Sequence, residues 1–311
     1  MNNSTSSSSL ETTIGKFGEW DLISLIEDEK QYKLYSARNI NNQQKTLLKI
    51  YRDFNKVSEA TLLATIAHPR LLAMDQTFTR VDVNSPTAIV FEDAPRGNLL
   101  DLIEVFSRFP TFIARSYFHQ LIEALEYLHS ANICHLNLNP ESVFLDEHYC
   151  IKLAGFDRAT LLVNSSNADL SKLQEMGDPS FYAPEMHENT IFDGYRSDVF
   201  SLGVVLFVMI SGHLPFACAT KDDELYQLIA NENYEEFWAC HEEMMRTEQP
   251  NPKAFFDEDF MFLMNRMLFV NQNERPTLKE IRESAWYNQP ALSDEKLGDF
   301  VSQVAKKMRL F

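Results

Sequence analysis

A lone cation, a few carboxylates and a run of amides are what this chain offers to chemistry. Lys49 ends the apolar run Thr46-Leu47-Leu48, and Glu59 follows it on the next segment. The two are of opposite charge and can pair. The stretch from His135 to Asp157, HLNLNPESVFLDEHYCIKLAGFD, gathers a histidine, the amides of Asn137 and Asn139, the hydroxyl of Ser142 and the carboxylate of Asp157. A neutral amide cannot take a proton, and losing a general base typically slows a reaction on the order of 10²–10⁴-fold. Cys134, Cys150, Cys218 and Cys240 stand far apart with no C-x-x-C pair. They form neither a zinc pattern nor a disulfide framework, which points to a reducing compartment.

The elements that must position these residues change character along the chain. Asn2–Ser9 is rich in Ser and Asn and reads as a disordered tail. Trp20–Ile26, Tyr32–Arg38 and Lys45–Tyr51 are rich in aromatic or branched residues and separated by polar turns, so they predict strands. Val57–Ile66 switches to a helical period, and Leu71–Thr79 and Thr87–Phe91 are further strands, split by a turn at Asp82–Pro86. Beyond Arg96-Gly97 the chain turns helical, with Val199–Ile210 apolar all round as in a core helix. Short strands are expected at Val143–Leu145 and Ile151–Leu153, and Ser293 opens an amphipathic C-terminal helix. A strand-rich lobe on a larger helical lobe, an α+β fold, follows.

Composition narrows the function classes. The 311 residues carry a formal net charge of −17, from 28 basic and 45 acidic residues. Such a surface repels phosphate at long range, which disfavours nucleic acid and anionic membranes as partners. The Val199–Ile210 run is too short for a bilayer, which takes about 20 residues, and Asn2–Ser9 lacks the apolar core of a signal peptide. A soluble, cytoplasmic protein is expected.

The His135–Asp157 stretch resembles, without a gap, the run from the catalytic loop to the D-F-G motif of Ser/Thr protein kinases. Lys49 stands where that family ends V-A-I-K, and Glu59 matches its C-helix glutamate. Ala183-Pro184-Glu185 is similar to A-P-E, and Arg275 is similar to the arginine that pairs with its glutamate. The resemblance covers roughly Phe17 to Tyr287, and Ser201–Phe216 is similar to the calmodulin-dependent and AMP-activated branch. It implies a tail at 1–16, an N-lobe at 17–95, a C-lobe at 96–290 and an added helix at 291–311.

The resemblance also says which positions should handle phosphate, and most are altered. The Gly-rich loop positions fall on Glu27, Glu29 and Tyr32, where carboxylates would face phosphate. The catalytic aspartate is Asn137, the lysine after it Asn139, and the metal-binding asparagine Ser142. The D-F-G aspartate is Gly155, with Asp157 two residues late as a weak metal candidate. Magnesium demands tight octahedral geometry at about 2.0–2.1 Å, so a displaced ligand should not serve. The activation-segment threonine is Asp178, and Leu136 replaces the phosphate-receiving arginine, so phosphorylation at Thr160, Ser165, Ser166 or Ser171 would lack its receptor. The adenine slot is expected to hold Leu34, Leu47 and Phe144, whose burial could stabilise the fold by roughly 1.5–3 kcal/mol each. His135, Phe156, Leu63 and Met74, seated on Asp198, read as structural packing.

These departures imply a pseudokinase: a non-catalytic interaction module for an active kinase, a substrate or a scaffold, with no cofactor. Two alternatives stand beside it. One is a weak phosphotransferase in which Asp157 or Asp178 supplies a carboxylate. The other is a nucleotide-binding switch using Lys49 and Glu59, and ATP with magnesium belongs only to these two. The acidic, aromatic stretch Asp222–Glu248 reads as a solvated helical surface, with a docking face as the sharper reading.

Overall fold

Alternating burial along Tyr32–Asn39 and a nearly continuous buried run along Lys45–Tyr51 give the N-terminal part of the chain its sheet. The computed structural model describes residues 12–52, 58–78, 87–162, 167–169, 177–188, 191–248 and 255–308. The chain divides into two compact units, Met1–Ala67 with Leu72–Ala94, and His68–Leu71 with Pro95–Phe311.

The smaller unit contains β1 (Gly15–Phe17), β2 (Trp20–Asp28), β3 (Tyr32–Asn39), β4 (Lys45–Tyr51), α1 (Ser58–Leu63), β5 (Met74–Phe78) and β6 (Ala88–Phe91). The strands form one antiparallel sheet in the order β1-β2-β3-β4-β6-β5. Its core joins Trp20, Leu22, Ala37, Leu48, Ala88 and Val90, with Phe78 edge-on to Trp20 at 5.1 Å. The register of β2 shifts twice against β3, between Leu22 and Ser24 and between Leu25 and Glu27. Each shift re-aims the strand, and Leu25 and Ile26 end exposed.

Three expectations are corrected here. Gly15 and Lys16, assigned to the tail, pair with Leu22 and Asp21 in β1. The helix expected over Val57–Ile66 stops at Leu63. Its last turn tightens, with Thr65 N donating to Leu62 O at 2.9 Å and the Thr65 hydroxyl donating to the same carbonyl at 2.7 Å. The strand expected from Leu71 begins at Met74. His68–Leu71 groups with the larger unit because Leu153 N donates to Arg70 O at 2.7 Å and the Arg70 guanidinium pairs with Glu123 and Asp294. The Asp82–Pro86 turn and Ser165, Ser166 and Ser171 lie outside the described residues.

The larger unit runs α2 (Leu99–Phe106), α3 (Thr111–Ser130), β7 (Ile133–Cys134), β8 (Val143–Leu145), β9 (Ile151–Leu153), β10 (Thr160–Leu161), β11 (Asn167–Asp169), α4 (Pro184–His187), β12 (Ile191–Asp193), α5 (Gly194–Ser211), α6 (Glu224–Ala230), α7 (Tyr234–Glu248), α8 (Glu258–Met267), α9 (Leu278–Arg282) and α10 (Asp294–Met308). Asn98 caps α2 in a reciprocal capping box with Asp101, and Asp193 caps α5 by accepting from Arg196 N. Among the described residues α5 is long and apolar enough to cross a membrane, but 89% of it is buried inside the fold, so it is a core helix. Two-residue and three-residue ribbons, β7–β10, β8–β9 and β11–β12, run antiparallel between the helices.

α10 packs on α3 in this same unit. Leu297, Val301 and Ala305 are buried, Phe300 meets Phe112 edge-on at 5.6 Å, and Asp294 accepts from Gln120 Nε2 at 3.0 Å. Gly298 permits this approach, because a Cβ there would run into the His148 carbonyl oxygen.

Candidate functional site

In the larger unit the site is built around Asp198, fully buried on α5. Its carboxylate accepts from His135 N and Leu136 N at 2.8 Å each and lies 2.9 Å from His129 Nε2. These bonds hold the loop after β7 in place, with Leu136 in a left-handed conformation at φ 57°. His135 Nε2 lies 2.8 Å from Ala154 O, and Asn137 N donates to His135 Nδ1 at 3.3 Å. That pattern requires a neutral ring with its proton on Nε2. Burial holds this imidazole below its ordinary pKa, against the opposing charges of Asp198 and Asp157. His135 is thus a packed core residue, edge-on to Phe156 at 5.0 Å.

The amides are engaged locally. Asn137 Nδ2 donates to Gly155 O at 3.3 Å, while its Oδ1 is buried without a hydrogen-bond partner among the described residues. Gly177 lies against that oxygen so closely that a side chain there would overlap it. Asn139 caps the 3₁₀ turn Pro140–Ser142: its Oδ1 accepts from Ser142 N at 2.9 Å, and Ser142 Oγ donates to Asn139 O at 2.8 Å. Asn139 Nδ2 donates to Asn137 O at 3.1 Å. Ser142 Oγ also accepts from Asn139 N at 3.1 Å, so its hydroxyl serves the turn.

Gly155 has φ 75°, and a Cβ built on it would stand 3.1 Å from Ser142 Cβ and 3.4 Å from Asn137 Nδ2. The place for a side chain at position 155 is therefore strained and crowded. Asp157 is half-buried. Asp178 is a cap, its carboxylate accepting from Ser180 N at 2.9 Å to start the turn Pro179–Phe181. Arg275 holds Glu185 with two 2.6 Å bonds, and Ser197 Oγ donates to Glu185 at 2.8 Å.

The activation-segment residues that are described are anchored by main-chain pairing. Thr160 and Leu161 pair with Cys134 and Ile133, and Asn167–Asp169 pair with Ile191–Asp193. Leu136, in the loop after β7, is 1% exposed.

In the smaller unit Lys49 and Glu59 pair at 2.9 Å, with 5% and 3% of their side chains exposed. The Lys49 ammonium also faces the Tyr32 ring, 3.9 Å from its centroid, and the Tyr51 ring at 5.4 Å. The Tyr51 hydroxyl donates to Glu59, and the Tyr32 hydroxyl donates to Glu27 Oε2 at 2.8 Å. Leu34 and Leu47 are buried on β3 and β4, and Phe144 is buried on β8 of the other unit. The sequence places Tyr32 and Tyr51 at strand ends but does not by itself bring either ring to Lys49. The signal was available: two-residue alternation puts Lys49 and Tyr51 on one face of β4, and the register sets Tyr32 opposite Tyr51.

Residues 11–287 match the protein kinase domain family. CBL-interacting protein kinase 26 of Oryza sativa subsp. japonica is 31% identical over 265 residues, covering 82% of this chain and 49% of the relative. CBL-interacting serine/threonine-protein kinase 15 of Arabidopsis thaliana is 27% identical over 264 residues, covering 82% of this chain and 58% of the relative. The chain thus spans about half the length of the curated relatives it matches. On the match across most of its length and the geometry around Asp198, Lys49 and Glu185, this chain belongs to the protein kinase domain family.

Proposed function

We propose that this chain is a kinase-family domain that does not transfer phosphate and acts instead as a regulatory or scaffolding module for a protein partner. The carrying observation is Asn137: an amide stands at the base position, its Nδ2 on the Gly155 carbonyl and its Oδ1 against Gly177. Phosphoryl transfer rests on positioning and charge neutralisation, and an amide there supplies neither a base nor a negative charge. Ser142 and Asp178 support the same reading, since the first serves a turn and the second caps one. On this reading no nucleotide or metal is required.

The relatives are named kinases, and their names include interaction with a protein called CBL. By that likeness this chain is proposed to engage a protein partner too, an active kinase, its substrate or a scaffold, in the cytoplasm. Asp157 favours the weak phosphotransferase as the second reading, because it is a half-buried carboxylate two residues from the metal position.

A thermal titration with ATP, alone and with magnesium or manganese, separates the readings by mass action on the melting point. No shift at millimolar nucleotide is expected. A metal-dependent shift, with phosphate transfer to a peptide that Asp157→Ala abolishes, would establish the second reading. A shift without metal that Lys49→Met removes would establish the nucleotide-binding switch.

A further inference from the structure

We propose that Tyr32 is a positioning residue for the Lys49–Glu59 pair, its ring standing over the ammonium where an anionic ligand would otherwise be needed. The inference rests on the reading that no phosphate is handled here, and deepens it by naming what takes the ligand's place.

A buried ammonium needs compensation on every side, because removal from water penalises its charge. Glu59 supplies one side of Lys49 at 2.9 Å. The faces of Tyr32 at 3.9 Å and Tyr51 at 5.4 Å also compensate it, through the negative potential above an aromatic ring. Both phenols are themselves tied: Tyr51 donates to Glu59 and Tyr32 to Glu27. Glu27 and Tyr32 are positions where the family resemblance places glycines, so residues at the phosphate-cradling positions instead bond to each other, with the Tyr32 ring on Lys49.

The hairpin that carries Tyr32 is fixed to the end of β4. The Arg52 guanidinium pairs with Asp28 and donates from Nε to Glu29 O at 3.1 Å, and Arg52 N donates to Gln31 O at 2.7 Å. Lys33 pairs with Asp28 at 3.0 Å, and Glu29 N donates to Tyr32 O at 3.0 Å. A tip held at Asp28, Glu29 and Gln31 keeps the ring on the ammonium. The Lys49–Glu59 bond, and with it the seat of α1, then persists without a ligand.

The test is the reactivity of Lys49 in the full chain toward a water-soluble acetylating ester, read by peptide mass spectrometry alongside amide exchange. Tyr32→Ala is expected to raise Lys49 acetylation about tenfold and to speed exchange in α1, while Tyr32→Phe, which keeps the ring, stays within about twofold of the unaltered chain. Tyr32→Ala leaving Lys49 as unreactive as before, or Tyr32→Phe behaving like Tyr32→Ala, overturns the proposal. Should Tyr32→Ala also loosen β3 and β4, Tyr32→Leu decides, since it fills the space without a π face. Reactive Lys49 with protected strands is expected, and protected Lys49 overturns it. ATP with magnesium added to the unaltered chain tests the non-transferring reading separately. A melting shift there sinks that reading, whereas only the labelling ratios bear on Tyr32.

Discussion

Gly155 holds φ 75° with Ser142 Cβ 3.1 Å from where its own Cβ would be. Placing an aspartate there does more than add a carboxylate. Most L side chains pay about 1–2 kcal/mol in the left-handed region and aspartate less, but Ser142 must also give way. Gly155→Asp is therefore expected to lower stability in urea by about 1 kcal/mol, and, on the proposed non-transferring reading, Asn137→Asp with Gly155→Asp to show no transfer of phosphate from ATP to a peptide. Transfer gained by the double variant and absent from the unaltered chain would show that those two positions alone decide activity. Chemical identity at these positions was legible in the sequence, since the resemblance fixes which residue stands where. Their engagement was not. That Asn139 and Ser142 exchange bonds around one turn, or that Asp178 caps the next, depends on dihedral angles that composition does not encode.

Glu185 and Arg275 tie α4 to the segment before α9. The guanidinium is wholly buried and also donates to the carbonyls of Phe269, Arg196 and Val270. Arg275→Ala would strand a carboxylate whose other partner is the Ser197 hydroxyl. Breaking such a pair costs about 3–5 kcal/mol, and urea denaturation should read it. A loss under about 1 kcal/mol would mean that the pair is dispensable. At the scale of elements, β4, β8 and β9 were legible to the residue, because each is a branched or aromatic run closed by polar turns. α5 begins five residues earlier than its apolar run, since Asp193 caps it from outside the periodic stretch. α1 is shorter than its period suggests, and Thr65 supplies the reason.

Across the molecule, His68, His119, His135, His187 and His241 all have pKa values pushed below the ordinary imidazole range, with burial the first cause in each. For His241 the value falls to about 4, burial being joined by the neighbouring His213 and opposed by a bond to the Pro215 carbonyl. A neutral folded histidine takes up its proton later than the unfolded chain does, so acid favours unfolding. The stability is intact above about pH 6.5 and is lost as pH falls toward 4, by about 3 kcal/mol for His241 alone. Melting curves from pH 7.5 to 4.5 should show this decline, and His241→Gln should flatten it. A melting point that held steady across that range would contradict the assignment.

The C-terminal helix carries a practical consequence. The family match stops at residue 287, yet α10 begins at Asp294 and lies on α3. A fragment trimmed at the family boundary would strip Arg70 and Gln120 of Asp294 and uncover the oily flank that Leu297, Val301 and Ala305 now shield. Bared surface of that kind clumps. Light scattering on a chain ending at residue 290 should therefore report aggregates where the 311-residue form stays dispersed, so a useful cutting point for expression lies past Ala305.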